Sequence, residues 1–207
     1  MQTFIDLSVP ITDLMPVYPG DEPPHLKKVN TLTRDGFNNF LLSVTMHTGT
    51  HIDGPMHLTK NKIFLDEIPL EHCIGLGCIL NADGKKSILL TKEYQRLVRP
   101  QSIVLLYTGM SRLFGRKKYF TAYPTVSREL AQLFVERQVK MVCMDSPSPD
   151  RYPFDIHKLL LENNILLAEN LTNVERLFSV NNFEVIALPL KIHTDSSPAR
   201  IIARELH

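Results

Sequence analysis

The spacing of apolar residues changes character partway along the chain. In the first half, TFIDLSV, HLKKVNTL and NNFLLSVTM are short apolar and β-branched stretches bounded by turn formers, which predicts strands. Asp35-Gly36 within TRDGF is a hairpin signal between the last two. CILNAD and SILLT predict further strands, joined by a polar Gly-Lys-Lys turn. Beyond them the rhythm alternates. Residues 91–98 carry a short helical pattern ended by Pro100, and SIVLLYTG is an unbroken apolar run of the kind found in a strand buried on both faces. SRELAQLFVERQ puts Leu130, Phe134 and Val135 near helical spacing, with Ser127 as N-cap, and leads into the strand VKMVCMD. After SPSPDRYPF comes a helix over residues 155–162, which Asn163-Asn164 can end, then the strand ILLAEN. FEVIALPL and ARIIARE are the final strands. Helices alternating with apolar strands predict an α/β fold with a mixed sheet and a few helices. Residues 111–123, SRLFGRKKYFTAY, are expected as a basic, aromatic loop, either an ordinary solvated connection or a cover over a site.

With no repeat, low-complexity segment or convincing linker, the 207 residues are expected to form a single domain, 1–207, with a sizeable core. The balance of 23 basic against 22 acidic side chains offers no field to attract nucleic acid or an anionic membrane, so neither partner is expected. Cys73, Cys78 and Cys143 are odd in number and lie in apolar surroundings, which suits buried thiols in a reducing compartment. His72, Cys73 and Cys78 have a spacing that fits no standard metal site. The opening MQTFIDLSVPITDLMP has no basic start, and no apolar run approaches the ~20 residues that span a bilayer. A soluble cytoplasmic protein is expected.

The chemistry concentrates in HTGTHIDGPMH, residues 47–57, which holds His47, His51, Asp53 and His57 around Gly49, Gly54 and Pro55. One histidine in a polar turn calls for no function. Three imidazoles with a carboxylate are the ligand set of zinc, manganese or iron. The four residues share sequence parity, so on a strand they face one way. Four residues of extended chain nevertheless cover ~13 Å, whereas nitrogens on one zinc lie roughly 3 to 3.5 Å apart. The chain must therefore bend between His47 and His51. Gly49 and Thr50 weaken a helix and Pro55 disfavours one, so a tight turn at Thr48-Gly49 is predicted. Asp53 adds an oxygen that can bridge two ions, and His57, beyond the proline, is better placed as a proton carrier. Three ligands on one segment leave room for water, the layout of a catalytic site. Further ligands could come from His157, otherwise an exposed helical histidine, and from Glu169, an acid at the end of an apolar strand.

These residues resemble the cyclase family of metal-dependent hydrolases, whose best-known members are bacterial kynurenine formamidases (arylformamidases) of tryptophan catabolism. HTGTHIDGPMH fits that family's His-x-Gly-Thr-His-x-Asp-x-Pro-x-His signature, and DLSVPITDLMPVYPGD, VLLYTG, MDSPSPD and ALPLKIHTDSSPARIIA extend the likeness over nearly the whole chain. The resemblance implies a swivelling β/β/α architecture, a homodimer and two divalent ions per chain, zinc or manganese. It implies that His47, His51 and Asp53 hold one ion, with Asp53 bridging to a second completed by His157. Glu169 would contact both ions, and His57 would donate and accept the proton. The implied reaction is hydrolysis of a small amide, an aryl formamide such as N-formylkynurenine. Formamidases often carry tryptophan where Tyr18 stands, and this chain has none; Tyr18 keeps an aromatic face for the substrate. Two alternatives stay open: a cyclic amide such as an isatin-type lactam or imide as substrate, or a metal-binding module without catalysis. A serine esterase is disfavoured, because no Gly-x-Ser-x-Gly elbow occurs and Ser146 and Ser148 sit beside prolines. His25, His72, His193 and His207 receive no role.

Overall fold

The computed structural model describes residues 3–206; His207 lies outside the described residues. Among the described residues, twelve strands run in chain order as β1 (Phe4–Asp6), β2 (His25–Asn30), β3 (Asn39–Ser43), β4 (His51–Asp53), β5 (Ile74–Asn81), β6 (Ser87–Ile88), β7 (Ile103–Tyr107), β8 (Thr125–Val126), β9 (Met141–Met144), β10 (Leu166–Glu169), β11 (Phe183–Pro189) and β12 (Ser196–Glu205). The main sheet has the order β1-β12-β11-β5-β7-β9-β10-β4, and β4 also pairs with β12. That last pairing closes seven strands into a barrel-like ring, with β1 attached to β12 outside the closure. β5, β7, β9 and β10 are parallel, while β4, β11 and β12 meet their neighbours antiparallel, so the sheet is mixed. Parallel neighbours need long crossovers. Helices at Lys92–Leu97, Arg128–Glu136 and Asp155–Glu162 lie in those crossovers, with Thr91 and Ser127 as the N-caps of the first two. This is the α/β, mixed-sheet, few-helix architecture expected of a cyclase-like fold.

Alternation along the strands separates two cores. Ile103, Leu105 and Cys143 join Ile52, Ala168, Val185 and Ile201 inside the ring. Val104, Leu106, Val142 and Leu167 face outward, where Leu130, Phe134 and Leu160 of the helices cover them. Both faces of β7 and β9 are buried, which is why their sequences run apolar without a break.

Several expectations need correction. β2 and β3 do pair antiparallel, but Leu32–Asp35 form a helical turn in their connection, capped by Thr31 and ended by Gly36 at φ +78°. SILLT contributes only Ser87–Ile88, which pairs with β8 and not with β5. Residues 111–123 are no loop: a 3₁₀ turn at Met110–Leu113 and a helix at Lys117–Thr121 pack around buried Tyr119 and Tyr123. Buried Asp145 anchors the start of this segment by accepting from Thr108 N at 2.7 Å and Thr108 Oγ1 at 2.6 Å. Cys73 and Cys143 are buried and Cys78 partly so, all as free thiols.

Candidate metal centre

The pairing of β4 builds the centre. His51 lies opposite Glu169 of β10, and Asp53 lies opposite Ser196 of β12. Since Ile52 and Ala168 point into the ring, His51, Asp53 and Glu169 project from the outer face. There the helix Asp155–Glu162 brings His157 down onto them. All four side chains are at least nine-tenths buried. The predicted bend is present: Gly49 has φ +64°, a conformation that favours glycine, and it returns the chain so that the His47 and His51 ring centroids lie 5.0 Å apart.

Hydrogen bonds fix which ring nitrogen each histidine presents. A carbonyl can only accept, so His51 Nδ1 carries the hydrogen and donates to Gly49 O at 2.9 Å, leaving the Nε2 lone pair toward the centre. His157 Nδ1 likewise donates to Asp150 Oδ1 at 2.5 Å, and its Nε2 lies 3.2 Å from Glu169 Oε1. His47 Nε2 bonds Ser196 Oγ at 3.1 Å, which turns Nδ1 toward Asp53 Oδ1, 3.0 Å away. Such bonds on the far nitrogen orient metal-binding imidazoles.

Two buried atoms, His51 Nε2 and Asp53 Oδ1, make no hydrogen bond. They lie 3.5 Å apart, and Glu169 Oε2 is 3.6 Å from the same nitrogen, so the donors converge without satisfying one another. Ligand atoms of His51, Asp53 and Glu169 all lie within 4.8 Å of one another, as do those of His47, Asp53 and His57. Orphaned polar atoms inside a protein are costly. A divalent cation satisfies them, and the imidazole and carboxylate set fits one.

Charge points the same way. Burial disfavours a charged His47, yet the carboxylates of Asp195 and Asp53 outweigh it and hold the pKa up at about 10. Burial is likewise overcome at His157 by Asp150 and Glu169, again to about 10. Protons therefore occupy the place of a cation in the metal-free state. Adding zinc to chelated protein at pH 8 should release about two protons per chain, read with an indicator in weak buffer; uptake of zinc without release would refute this. A raised folded-state pKa stabilises fully below the ordinary value of 6.5 and ceases to do so as pH rises through about 10, so metal-free protein should melt progressively lower across that window.

His47, His51, Asp53, His57, His157 and Glu169 are thus brought together, and Tyr18 joins them on a cavity of about 250 Å³. Tyr18 meets the ring of Phe120 edge-on at 6.1 Å, and Phe120 also lines the cavity, so the segment expected as a possible cover does reach the site. His157 is buried, the reverse of an exposed helical histidine. Sequence reasoning assigned nothing to Asp150, Asn170 or Asp195. Asp150 Oδ2 accepts from Ile156 N at 2.6 Å, capping the helix whose His157 its other oxygen orients. Asn170 Nδ2 donates to Gly49 O, and its Oδ1 accepts from Tyr119 OH at 2.7 Å. The one available signal was proximity, since Asp150 closes the quoted MDSPSPD, Asn170 follows Glu169, and Asp195 lies within the quoted C-terminal segment. His25 and His72 take no part; His193 stacks on Phe64 with centroids 3.5 Å apart. Among the described residues no helix is long and apolar enough to cross a membrane.

Comparison with solved structures shows where this architecture recurs. The chain superposes with a TM-score of 0.86 on isatin hydrolase A from Labrenzia aggregata, at 21% identity over 100% of this chain and 94% of that one. For isatin hydrolase A from Ralstonia solanacearum the TM-score is 0.87 at 21% identity, over 99% and 92% of the two chains. A potential metal-dependent hydrolase with cyclase activity gives 0.80 at 24% identity, over the whole of both chains. These likenesses establish the shared fold. The Cyclase family model matches residues 5–151, which hold the HTGTHIDGPMH motif but not His157, Glu169 or Asp195. By that match, over most of its length, the chain belongs to the Cyclase family.

Proposed function

We propose that the chain is a metal-dependent hydrolase of a small amide, with residues 1–207 working as one domain. The observation that carries this reading is the convergence of unpaired His51 Nε2 and Asp53 Oδ1, both buried, on a cavity that His57 also lines. In this proposal two divalent ions would be held by His47, His51, Asp53, His157 and Glu169, whose imidazole nitrogens and carboxylate oxygens supply the donors. Zinc or manganese suits these donors. When bound, such a cation supplies Lewis acidity, polarising the scissile carbonyl and lowering the pKa of water from about 15.7 toward about 7. His57 takes the proton of the attacking water at Nε2 and returns it to the leaving nitrogen. Tyr18 and Phe120 offer aromatic edges and faces to a substrate ring, and a cavity of about 250 Å³ suits a small one.

An aryl formamide such as N-formylkynurenine is the first substrate to test. The superposition on two isatin hydrolases favours a second reading, opening of an isatin-type lactam or a related cyclic imide. Turnover of both, followed by ultraviolet absorbance with and without added zinc or manganese, is the decisive assay. Metal-dependent loss of either absorbance supports the hydrolase; inertness toward every amide by a fully loaded protein would leave the metal-binding module.

A homodimer belongs to the same proposal. Every residue of β3 is exposed, with Phe40 and Leu42 on one face and Leu41 on the other. A two-stranded ribbon is marginal by itself, and exposed apolar patches mark interaction surfaces. Wild type should sediment as a dimer, and the pair Phe40→Asp and Leu42→Asp should shift it to monomer. A monomeric wild type would rule out the dimer.

A further inference from the structure

We infer that Asp195 is the positioning residue for His57, a role that rests on the hydrolase reading and lies outside the proposed ligand set. The sheet places it there. β12 begins with Ser196 opposite Asp53, so Asp195 falls beside Gly54, and its carbonyl accepts the Gly54 N–H at 2.8 Å. A Cβ at position 54 would stand 2.9 Å from that oxygen, so this approach requires glycine. Gly54 O in turn accepts from His57 N at 3.0 Å. The imidazole and the carboxylate are therefore both tied by backbone bonds to one glycine of the motif.

The side chains complete the arrangement. His57 Nδ1 lies 2.9 Å from Asp195 Oδ2. An ionised carboxylate only accepts, so the hydrogen sits on Nδ1 and the lone pair on Nε2, the tautomer a general base needs. The same Oδ2 is 3.8 Å from His47 Nε2, beyond hydrogen-bond range, and Ser196 Oγ takes that nitrogen instead. Asp195 thus has His57 as its bonded imidazole. In the reaction, the water O–H bond breaks as its oxygen bonds to the carbonyl carbon, and His57 Nε2 takes the proton. The imidazolium then delivers that proton to the nitrogen as the C–N bond breaks. Asp195 remains a carboxylate throughout and holds the ring by its bond to Nδ1.

Zinc-loaded protein labelled with ¹⁵N-histidine tests this without recourse to turnover. Long-range ¹H–¹⁵N spectra should place the hydrogen of wild-type His57 on Nδ1, the resonance being assigned by its loss in His57→Ala. In Asp195→Asn the amide can donate to Nδ1, and the hydrogen should move toward Nε2. Metal content and KM should hold while kcat falls about 10²-fold, and Asp195→Glu should recover part of the loss, which a merely structural role would not predict. An unchanged tautomer, unchanged kcat, or loss of metal from Asp195→Asn would each overturn the assignment. If wild type hydrolyses no amide, the hydrolase reading falls, whereas the tautomer comparison still decides whether Asp195 sets His57.

Discussion

Asp53→Ala is expected to lose bound metal and turnover together. Asp53 is the one side chain common to both groups of converging donors, so its removal takes an oxygen from each. It is 1% exposed, and its Oδ1 lies 3.0 Å from His47 Nδ1 and 3.5 Å from His51 Nε2. Burial by itself would raise its carboxyl pKa, but His51 and His47 override that and hold it well below the usual carboxylate range. The neighbouring imidazoles thus favour its ionised form. Without Asp53, His47 and His51 lose the carboxylate they share, and among the described residues only Glu169 and Asp195 remain near them. Elemental analysis after dialysis should find the variant depleted of zinc and manganese, and added zinc should no longer raise its melting temperature, because an ion stabilises only what it binds. Asp53→Asn keeps the shape but loses the charge and should also fail to retain metal. Stoichiometric metal in either variant would overturn the proposed ligation by Asp53.

How far the sequence announced this depended on whether a feature was local. The bend at Gly49 follows from two facts on one segment: histidines four apart cannot share an ion on an extended strand, and glycine permits φ +64°. The shared face of His51 and Asp53 follows from strand parity, and the helix at Asp155–Glu162 from its apolar spacing and the asparagines that end it. Register is different. Nothing in ILLAEN says that Glu169 pairs opposite His51 and not one residue away, although a slip of one would turn its carboxylate into the ring interior. Closure of the ring through β4 and β12 is likewise a long-range choice, and with it came Asp195. His157 looked ambiguous because helical periodicity gives no sign of what binds the first-turn N–H groups, and Asp150 accepts from those of Ile156 and His157. The segment at 111–123 looked like a loop because its basic residues hide the anchoring tyrosine, Tyr119. Family resemblance supplied the ligand set that periodicity could not, and the buried, unpaired donor atoms give it an independent physical footing.

His57→Ala should separate from Asp53→Ala by keeping its metal while losing turnover. Proximity alone would permit His57 to ligate, since its nearest donor atom lies within 4.8 Å of those of His47 and Asp53, and its ring centroid is 4.3 Å from that of His47. What favours proton work is the bond to Asp195 at 2.9 Å, since exposure does not separate the roles: His57 and the proposed ligand His47 are each about a quarter exposed. Loss of a general acid–base group typically costs ~10² to 10⁴ in rate, so kcat should fall by that factor with KM little changed. Elemental analysis should show the wild-type metal complement. If the variant instead releases metal as readily as Asp53→Ala, His57 is a ligand, the second donor group is its site, and another residue must carry the proton.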